Sequence, residues 1–314
     1  MTLSAPIAEP GAGIGYRARP SLRSRIAGGR AGPVLVVLVA VLVLWYAGAV
    51  LLNWPTESAR LARGNPEVSP AEILTATLSA QRPVLPAPHQ IAVEIWNTTV
   101  KVSPTAPRSL VYHAGVTLGP TLLGFALGTL LGVALAVGII HSRTLDKSLM
   151  PWVITSQTIP ILAIAPMVIV VLNSVGISGL VPKAIISTYL SFFPVTVGMV
   201  KGLRSPDAMH LDLMRTYNAS GRQTLAKLRA PASLPFLFAS MKVAVAAALV
   251  GAIVGELPTG AQAGLGARLL AGSYYGQTIQ IWSALVAASA MAGVLVWLVG
   301  LAETTARRRA GARA

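Results

Sequence analysis

Residues 113–140 read HAGVTLGPTLLGFALGTLLGVALAVGII and contain no Asp, Glu, Lys or Arg. About 20 apolar residues, at a rise of 1.5 Å each, cross the roughly 30 Å hydrocarbon layer of a bilayer. The stretch is therefore long enough and apolar enough to form a membrane-spanning helix. Gly124, Gly128 and Gly132 recur every four residues along it. One helix face is thus free of side chains, which predicts that a second backbone approaches closely there.

The rest of the chain has the same character. Its 314 residues are 54% hydrophobic and 11% charged, whereas an ordinary soluble domain is about 25% charged, so a soluble globular fold is excluded. Windows poor in charge predict six spans, at about 34–52, 113–140, 151–172, 181–200, 234–256 and 280–301. The predicted fold class is all-α, a polytopic membrane protein with six transmembrane helices.

The distribution of charge predicts the orientation. Lys and Arg number 25 against 10 Asp and Glu, which gives a formal net charge of +15. Most of these cations face the cytoplasm if the amino terminus is inside, as the positive-inside rule requires. We therefore expect a multi-pass protein of the bacterial inner membrane with both termini cytoplasmic. The excess charge then indicates attraction to anionic membrane lipid, and no binding of nucleic acid is expected.

The predicted spans and the segments between them divide the chain into five parts. The only long segment on the periplasmic side is rich in proline. We therefore expect it to form only short interfacial helices, near residues 71–80 and 89–102. The five parts are a basic cytoplasmic tail at 1–30, the first transmembrane helix at 31–56, a periplasmic loop at 57–112, a five-helix core at 113–303 and a basic cytoplasmic tail at 304–314.

Polar and proline residues in the spans are candidates for lining a transport pathway. Pro160 and Pro166 each remove a backbone donor and are expected to kink the third span. An acid at the outer end of the fifth span is a functional candidate by default. Hydrogen bonding between helices, or solvation of a helix end for the acid, explains the same residues. The pathway candidates are Ser156, Gln157, Thr158 and Glu256.

The segment 201–231, between the fourth and fifth spans, carries the signals of two short helices. Ser205 is placed to cap the first, and a break is expected at Asn218 because Asn tolerates a left-handed backbone. Ser220 and Gln223 have the spacing of a capping box for the second helix, which Pro231 is expected to end. From the residues alone, an ordinary amphipathic connector explains this helix-turn-helix equally well.

The same segment resembles the coupling segment of binding-protein-dependent ABC importer permeases. The signature of that family is EAA, three residues, Gly, nine residues, Ile, one residue and Leu-Pro. Asp212-Leu213-Met214 stand at the EAA positions and Asn218 at the Gly position, while Leu228, Ala230 and Pro231 stand at the Ile, Leu and Pro positions. The spacing is met throughout. Asn in place of Gly still permits a turn. Leu-Met in place of Ala-Ala adds larger side chains, which changes how closely the helix can pack against a partner.

Other stretches resemble the nitrate, sulfonate and taurine branch of this family, which also holds permeases for thiamine-precursor pyrimidines and riboflavin. They include Leu85-Pro86-Ala87-Pro88, Phe192-Phe193-Pro194 and Gly264-Leu265-Gly266. The resemblance covers about residues 85–303. It implies a type I, MetI-like permease core that carries a small solute, either an anion of the nitrate, sulfonate or taurine type or a thiamine-precursor-like pyrimidine.

The resemblance also implies partners. A second permease copy would complete a homodimer, a cytoplasmic ABC ATPase dimer would bind ATP-Mg, and a periplasmic or lipid-anchored solute-binding protein would deliver the substrate. No cofactor is expected on this chain itself. The implied ATPase-coupling residues are Asp212, Leu213, Met214, Tyr217, Asn218, Ala219, Leu228 and Pro231.

Other functional classes find little support in the residues. None of the six Lys follows a Gly, so the sequence has no G-K-[ST] phosphate loop, and it has no Cys. No span holds paired carboxylates or a cluster of metal ligands, so an enzyme is not expected. The alternative is a stand-alone secondary transporter, which would more often show buried carboxylates or a repeat.

Overall fold

The structure, a computed structural model, describes residues 31–64, 67–258 and 261–309. The predicted tail at 1–30 and the end of the tail at 304–314 lie outside these residues. All regular elements in the described ranges are helical. They are α1 (Ala31–Ala62), α2 (Pro70–Ser79), α3 (Pro88–Thr99), α4 (Leu110–His141), α5 (Arg143–Ser156), α6 (Ile161–Ser174), α7 (Leu180–Leu203), α8 (Ala208–Thr216), α9 (Gly221–Thr224), a π-helical turn (Leu225–Arg229), α10 (Ala230–Glu256), α11 (Leu265–Tyr274) and α12 (Thr278–Arg309).

Five stretches of the described chain are long and apolar enough to cross a membrane, namely α1, α4, α7, α9 continued into α10, and α12. The third predicted span differs from expectation. Instead of one kinked helix it is two helices, α5 and α6, bent by 98°. Pro160 is the N-cap of α6, and proline disfavours helical geometry in the preceding residue, Ile159, so the helix breaks before it rather than bending.

The packing of α4 on α7 shows that the bent pair crosses the membrane. Gly124 faces Ser187, and Gly132 faces Val195, so residue numbers rise together and the two neighbouring helices are parallel. Parallel neighbours begin at the same face of the membrane. The chain between them must therefore return across it, and α5 with α6 is the segment that does so. The predicted all-α, six-span fold class is confirmed.

Small residues bring α4 and α7 together, as the glycine pattern predicted. A Cβ added at Gly124 would collide with Ser187, and one at Gly128 would collide with Ser191. The hydroxyl of Ser191 donates a hydrogen bond to the carbonyl oxygen of Gly124 at 3.1 Å. The two backbones therefore approach closely enough for a direct side chain to backbone bond between spans.

The remaining spans alternate in direction. Gly202 of α7 lies against Ser233 of α10, whereas Gly255 of α10 lies against Lys183, so α7 and α10 are antiparallel. Lys242 of α10 forms an ion pair of 2.7 Å with Glu303, near the end of α12. Ala288, in the first third of α12, packs in one cluster with Leu110 at the start of α4, so the carboxyl end of α12 lies at the opposite end of the bundle, with the segment 204–229.

The helix α1 joins the bundle through contacts that begin at its middle. Trp45 packs on Trp282 with ring centroids 5.0 Å apart. The Asn53 side chain donates to the Leu85 carbonyl at 2.8 Å and accepts from the Val84 N–H at 2.6 Å. The Thr278 hydroxyl, at the start of α12, donates to the neighbouring Pro83 carbonyl, so α1 runs antiparallel to α12 and residue 31 lies at the end of the bundle that holds segment 204–229.

The segment between α1 and α4 contains the two short helices that the sequence predicted, now bounded as α2 and α3. The helix α1 is longer than the predicted span and continues past Glu57 to Ala62. The first charged residue marks where the apolar part of a span ends, but a charged residue in water does not end a helix. Pro55 is tolerated within it.

Candidate functional site

An apolar stripe lies exposed on α8. Met209, Leu213 and Tyr217 are 78%, 52% and 77% exposed. A spacing of four residues puts the three side chains on one face of the helix. We call them the α8 stripe. Within the described chain, α8 packs extensively on no other helix, so the stripe has no packing role in the bundle. Aligned large apolar side chains of this kind mark an interaction surface.

The turn after α8 follows its sequence signals closely. Asn218 has a φ of 51°, the left-handed conformation expected there. The Ser220 hydroxyl accepts from the Gln223 N–H at 3.3 Å, and the Gln223 side chain accepts from the Ser220 N–H at 2.8 Å. The predicted capping box is confirmed. Ser205 is not a cap, because its hydroxyl donates to the Gly202 carbonyl and the N-cap of α8 is Asp207.

Pro231 does not end the second helix, contrary to expectation. The chain runs on from α9 through the π-helical turn into α10, which continues to Glu256. Pro231 directly follows the π-helical turn, in which the Ala230 N–H donates to the Leu225 carbonyl, and this shift in the hydrogen-bond pattern accommodates a residue that has no N–H. We call α9, the π-helical turn and α10 together the rod. The Arg229 guanidinium donates to the Leu203 carbonyl at 3.1 Å and so holds the rod against the end of α7. The segment and the fifth span are thus one continuous element.

The other predicted coupling residues lie around this hairpin. Asp212 forms an exposed ion pair of 2.8 Å with Arg215. The remaining three, Met214, Ala219 and Leu228, are half-buried. The structure therefore brings Leu213 and Tyr217 to one face, together with Met209. Sequence reasoning missed Met209, although its spacing from Leu213 was a usable signal.

Glu256 is fully buried at 0% exposure, so the expected solvated helix end is wrong. One carboxylate oxygen accepts from the Thr117 hydroxyl at 2.8 Å, and the other accepts from the Gly266 N–H at 2.7 Å. The Thr117 oxygen also accepts from the Leu265 N–H at 2.8 Å. The carboxylate thus joins α4 and α10 to the first turn of α11, where N–H groups favour an anion.

The Gly264-Leu265-Gly266 pattern fits around this carboxylate. Gly264 has a φ of +126°, and a Cβ there would collide with the Glu256 carboxyl group. Only glycine adopts this backbone at low cost and leaves room for the acid. The Gly264 N–H donates to His113 Nδ1 at 3.0 Å, which adds a second tie between α4 and the start of α11.

Removal of the Thr117 hydroxyl tests this arrangement. Thr117→Val keeps the side-chain shape but withdraws one donor from Glu256 and one acceptor from the Leu265 N–H. We expect the free energy of unfolding to fall by about 3 kcal/mol, measured as a lower thermal midpoint of the purified protein. Thr117→Ser, which keeps the hydroxyl, is the matched control. Equal midpoints for the two variants would contradict a role for the hydroxyl.

The three polar candidates of the third span lie at the break between α5 and α6. Ser156 and Thr158 donate to nearby carbonyls, of Val153 and Thr155. The Tyr189 hydroxyl donates to the Ser156 carbonyl oxygen. Gln157 and Thr158 are exposed, on a face that the described chain leaves uncovered. A pathway role for them stays a prediction.

A polar cleft of about 750 Å³ lies at the other end of the bundle from α8, among α3, the start of α4, α11 and the start of α12. Arg268 forms part of its wall and pairs with Glu94 at 3.1 Å. Burial lowers the pKa of the Arg268 guanidinium, whereas the Glu94 carboxylate raises it. No set of three or more His, Cys, Asp or Glu able to hold a metal occurs among the residues described.

Comparison with known proteins agrees with this architecture. The sequence profile of the family "binding-protein-dependent transport system inner membrane component" matches residues 128–309.

Several relatives have names that state a substrate. The formylaminopyrimidine transport permease protein ThiX of Halalkalibacterium halodurans is 32% identical over 62% of this chain and 72% of its own. The riboflavin transport system permease protein RibX of Chloroflexus aurantiacus is 28% identical over 85% and 86%. The putative aliphatic sulfonates transport permease protein SsuC of Bacillus subtilis is 25% identical over 55% and 61%. With its family profile, helical fold and spans, the chain belongs to the binding-protein-dependent inner membrane components, the permease subunits of ABC transporters.

Proposed function

We propose that this chain is the membrane-spanning subunit of an ATP-driven importer and that the α8 stripe seats in a cytoplasmic ATPase. The observation that carries the proposal is the exposure of Met209, Leu213 and Tyr217 on a helix that stands clear of the bundle. Met and aromatic residues are enriched in protein interfaces. A permease subunit of this family needs such a surface to receive the work of ATP hydrolysis.

The charge at the α8 end supports a cytoplasmic location. Several cations surround the ends of the spans there, and the positive-inside rule assigns such an end to the cytoplasm. Both ends of the described chain lie at that same end, so both termini would be cytoplasmic in a bacterial inner membrane. The cations are Arg143, Lys147, Lys201, Arg204, Arg215, Arg222, Lys227 and Arg229.

The continuity of the rod suggests how movement reaches the spans. ATP-Mg bound by the partner ATPase pair would close that pair and shift α8. The turn at Asn218 passes the shift to α9, and the rod from α9 through α10 carries it into the membrane. Because α10 and α7 pack closely through Gly198, Gly202 and Gly251, α7 would move with it. In this proposal the chain provides the α8 stripe, which contacts the ATPase, and the continuous helix from α9 to α10, which transmits the movement. The ATPase hydrolyses ATP.

The remaining partners follow from the family. A solute-binding protein, periplasmic or lipid-anchored, would deliver the substrate at the outer face, and a second copy of this chain would complete the pathway. The substrate class is a small solute, either an anion of the nitrate, sulfonate or taurine type or a thiamine-precursor-like pyrimidine. The names of the pyrimidine and sulfonate relatives support this range.

Purification of the complex tests the proposal. The chain is tagged at its carboxyl end, extracted gently from native membranes, and the proteins that accompany it are identified by mass spectrometry. We expect an ATPase subunit in near-equal amount, together with a binding protein whose ligand can then be screened. A folded chain that carries no nucleotide-binding partner would instead indicate a stand-alone secondary transporter.

A further inference from the structure

The outer cleft has the lining of a binding site for a polar molecule. Its volume of about 750 Å³ falls within the range of about 300–1,000 Å³ that small-molecule sites occupy. Amide side chains line it, from Asn97 on α3, Gln262 before α11, and Gln277 and Gln280 at the start of α12. Each amide offers both donors and acceptors. The lining therefore suits a solute that forms hydrogen bonds, not an acyl chain.

Arg268 is held rigidly in the wall of this cleft. It is 7% exposed. One terminal nitrogen donates to the Arg108 carbonyl at 3.0 Å, and the other donates to a Glu94 carboxylate oxygen at 3.1 Å. Its Nε has no hydrogen-bond partner in the described structure. That nitrogen is enclosed by the protein, so Arg268 acts on the cleft as a fixed positive charge in its wall, and such a charge favours an oxygen anion.

The charges around Arg268 do not balance. The guanidinium of Arg108 also lines the cleft and lies close enough to repel that of Arg268. His113 contributes no charge, because its Nε2–H donates to the Pro107 carbonyl while its Nδ1 accepts from the Gly264 N–H. Two guanidinium charges against one carboxylate, that of Glu94, leave one positive charge in the cleft.

We propose that this cleft binds a small organic anion of the sulfonate or carboxylate class. The anionic group would lie between Arg268 and Arg108, where it relieves their repulsion, and the amides would bind the rest of the molecule. An inorganic ion would leave most of the volume unfilled. The use of the site in import rests on the proposed function, but the binding requires neither the ATPase nor the binding protein.

Direct binding to the purified full-length chain in lipid nanodiscs tests the proposal. The probe is butanesulfonate, and butanesulfonamide, which has nearly the same shape and no charge, is its control at equal ionic strength. We expect saturable binding of butanesulfonate at one site per chain by calorimetry, and at least about tenfold weaker binding of the sulfonamide.

Arg108→Gln identifies the site. The Arg108 side chain is exposed, and its backbone carbonyl still accepts from Arg268 in the variant, so the fold is kept. We expect binding to weaken about tenfold. Arg82→Gln, at an exposed outer position outside the cleft lining, is the matched control and keeps wild-type affinity.

Three results would overturn the cleft proposal. They are an absence of saturable binding, equal binding of the sulfonamide, and an unchanged affinity in Arg108→Gln. None of these three results depends on whether an ATPase co-purifies with the chain. A chain that co-purifies with an ATPase but does not bind the probe therefore refutes the cleft proposal and leaves the importer function standing. A chain that binds the probe but co-purifies with no ATPase refutes the importer function and leaves the cleft proposal standing.

Discussion

Leu213→Glu is expected to leave the protein in the membrane and to abolish solute uptake. The side chain is 52% exposed, so the substitution costs the isolated chain little. In the complex the new carboxylate would be buried without a partner at the ATPase, and a central interface residue is commonly worth 2 kcal/mol or more. We expect at least about 30-fold less ATPase retained on the tagged chain, with a matching fall in the initial uptake rate.

The matched control adds the same charge to the same helix. Ala208 is exposed and lies five residues before Leu213, which is about 140° around the helix axis. Ala208→Glu should keep both the bound ATPase and the uptake rate near wild type. Normal uptake by Leu213→Glu, at an equal amount in the membrane, would remove the assignment of the α8 stripe.

Gly128→Leu is expected to prevent folding of the bundle. A Cβ at this position already collides with Ser191 and approaches the Phe192 backbone N at 3.1 Å, and leucine adds three more carbons. The two parallel spans would have to separate along their closest contact, at a cost above the usual 1–3 kcal/mol of overpacking. We expect less than about a tenth of the wild-type amount of monodisperse protein in detergent, measured by size-exclusion chromatography of a fluorescent fusion.

The same helix provides the control for this variant. Gly115 of α4 has no other part of the described chain within 4 Å of an added Cβ. Gly115→Leu should therefore give a wild-type profile, since leucine also favours the helix over glycine by nearly 1 kcal/mol. A monodisperse wild-type peak from Gly128→Leu would contradict the close contact of α4 with α7.

The predictable part of the fold depends on local signals. Charge-free windows locate spans because hydrocarbon excludes charge, and the glycine spacing at Gly124 and Gly128 predicts a close contact because helical periodicity is local. The breaks were harder to predict. Pro160 ended a helix where a kink was expected, whereas Pro231 lies inside a continuous helical element where an end was expected. Proline alone does not distinguish these cases, because the outcome depends on which carbonyls find other donors.

The site was predictable to a similar degree. Leu213 and Tyr217 follow from helical spacing within one segment, and the capping signals at Ser220 are local as well. The role of Glu256 could not be inferred in this way. Its hydroxyl partner, Thr117, is 139 residues away in the sequence, and a single sequence gives no signal of such a contact. A residue whose helix end was expected to be solvated is instead the buried junction of three helices.

Crosslinking from the α8 stripe tests the central claim most directly. The sequence has no cysteine, so Tyr217→Cys introduces the only thiol of this chain, at an exposed site. After labelling with benzophenone maleimide and illumination in native membranes, we expect a covalent product with the ATPase subunit, identified by mass spectrometry. Ala208→Cys, labelled to the same extent, should give little covalent product with the ATPase subunit. Full labelling at residue 217 without an ATPase product, or equal products from both positions, would contradict the account.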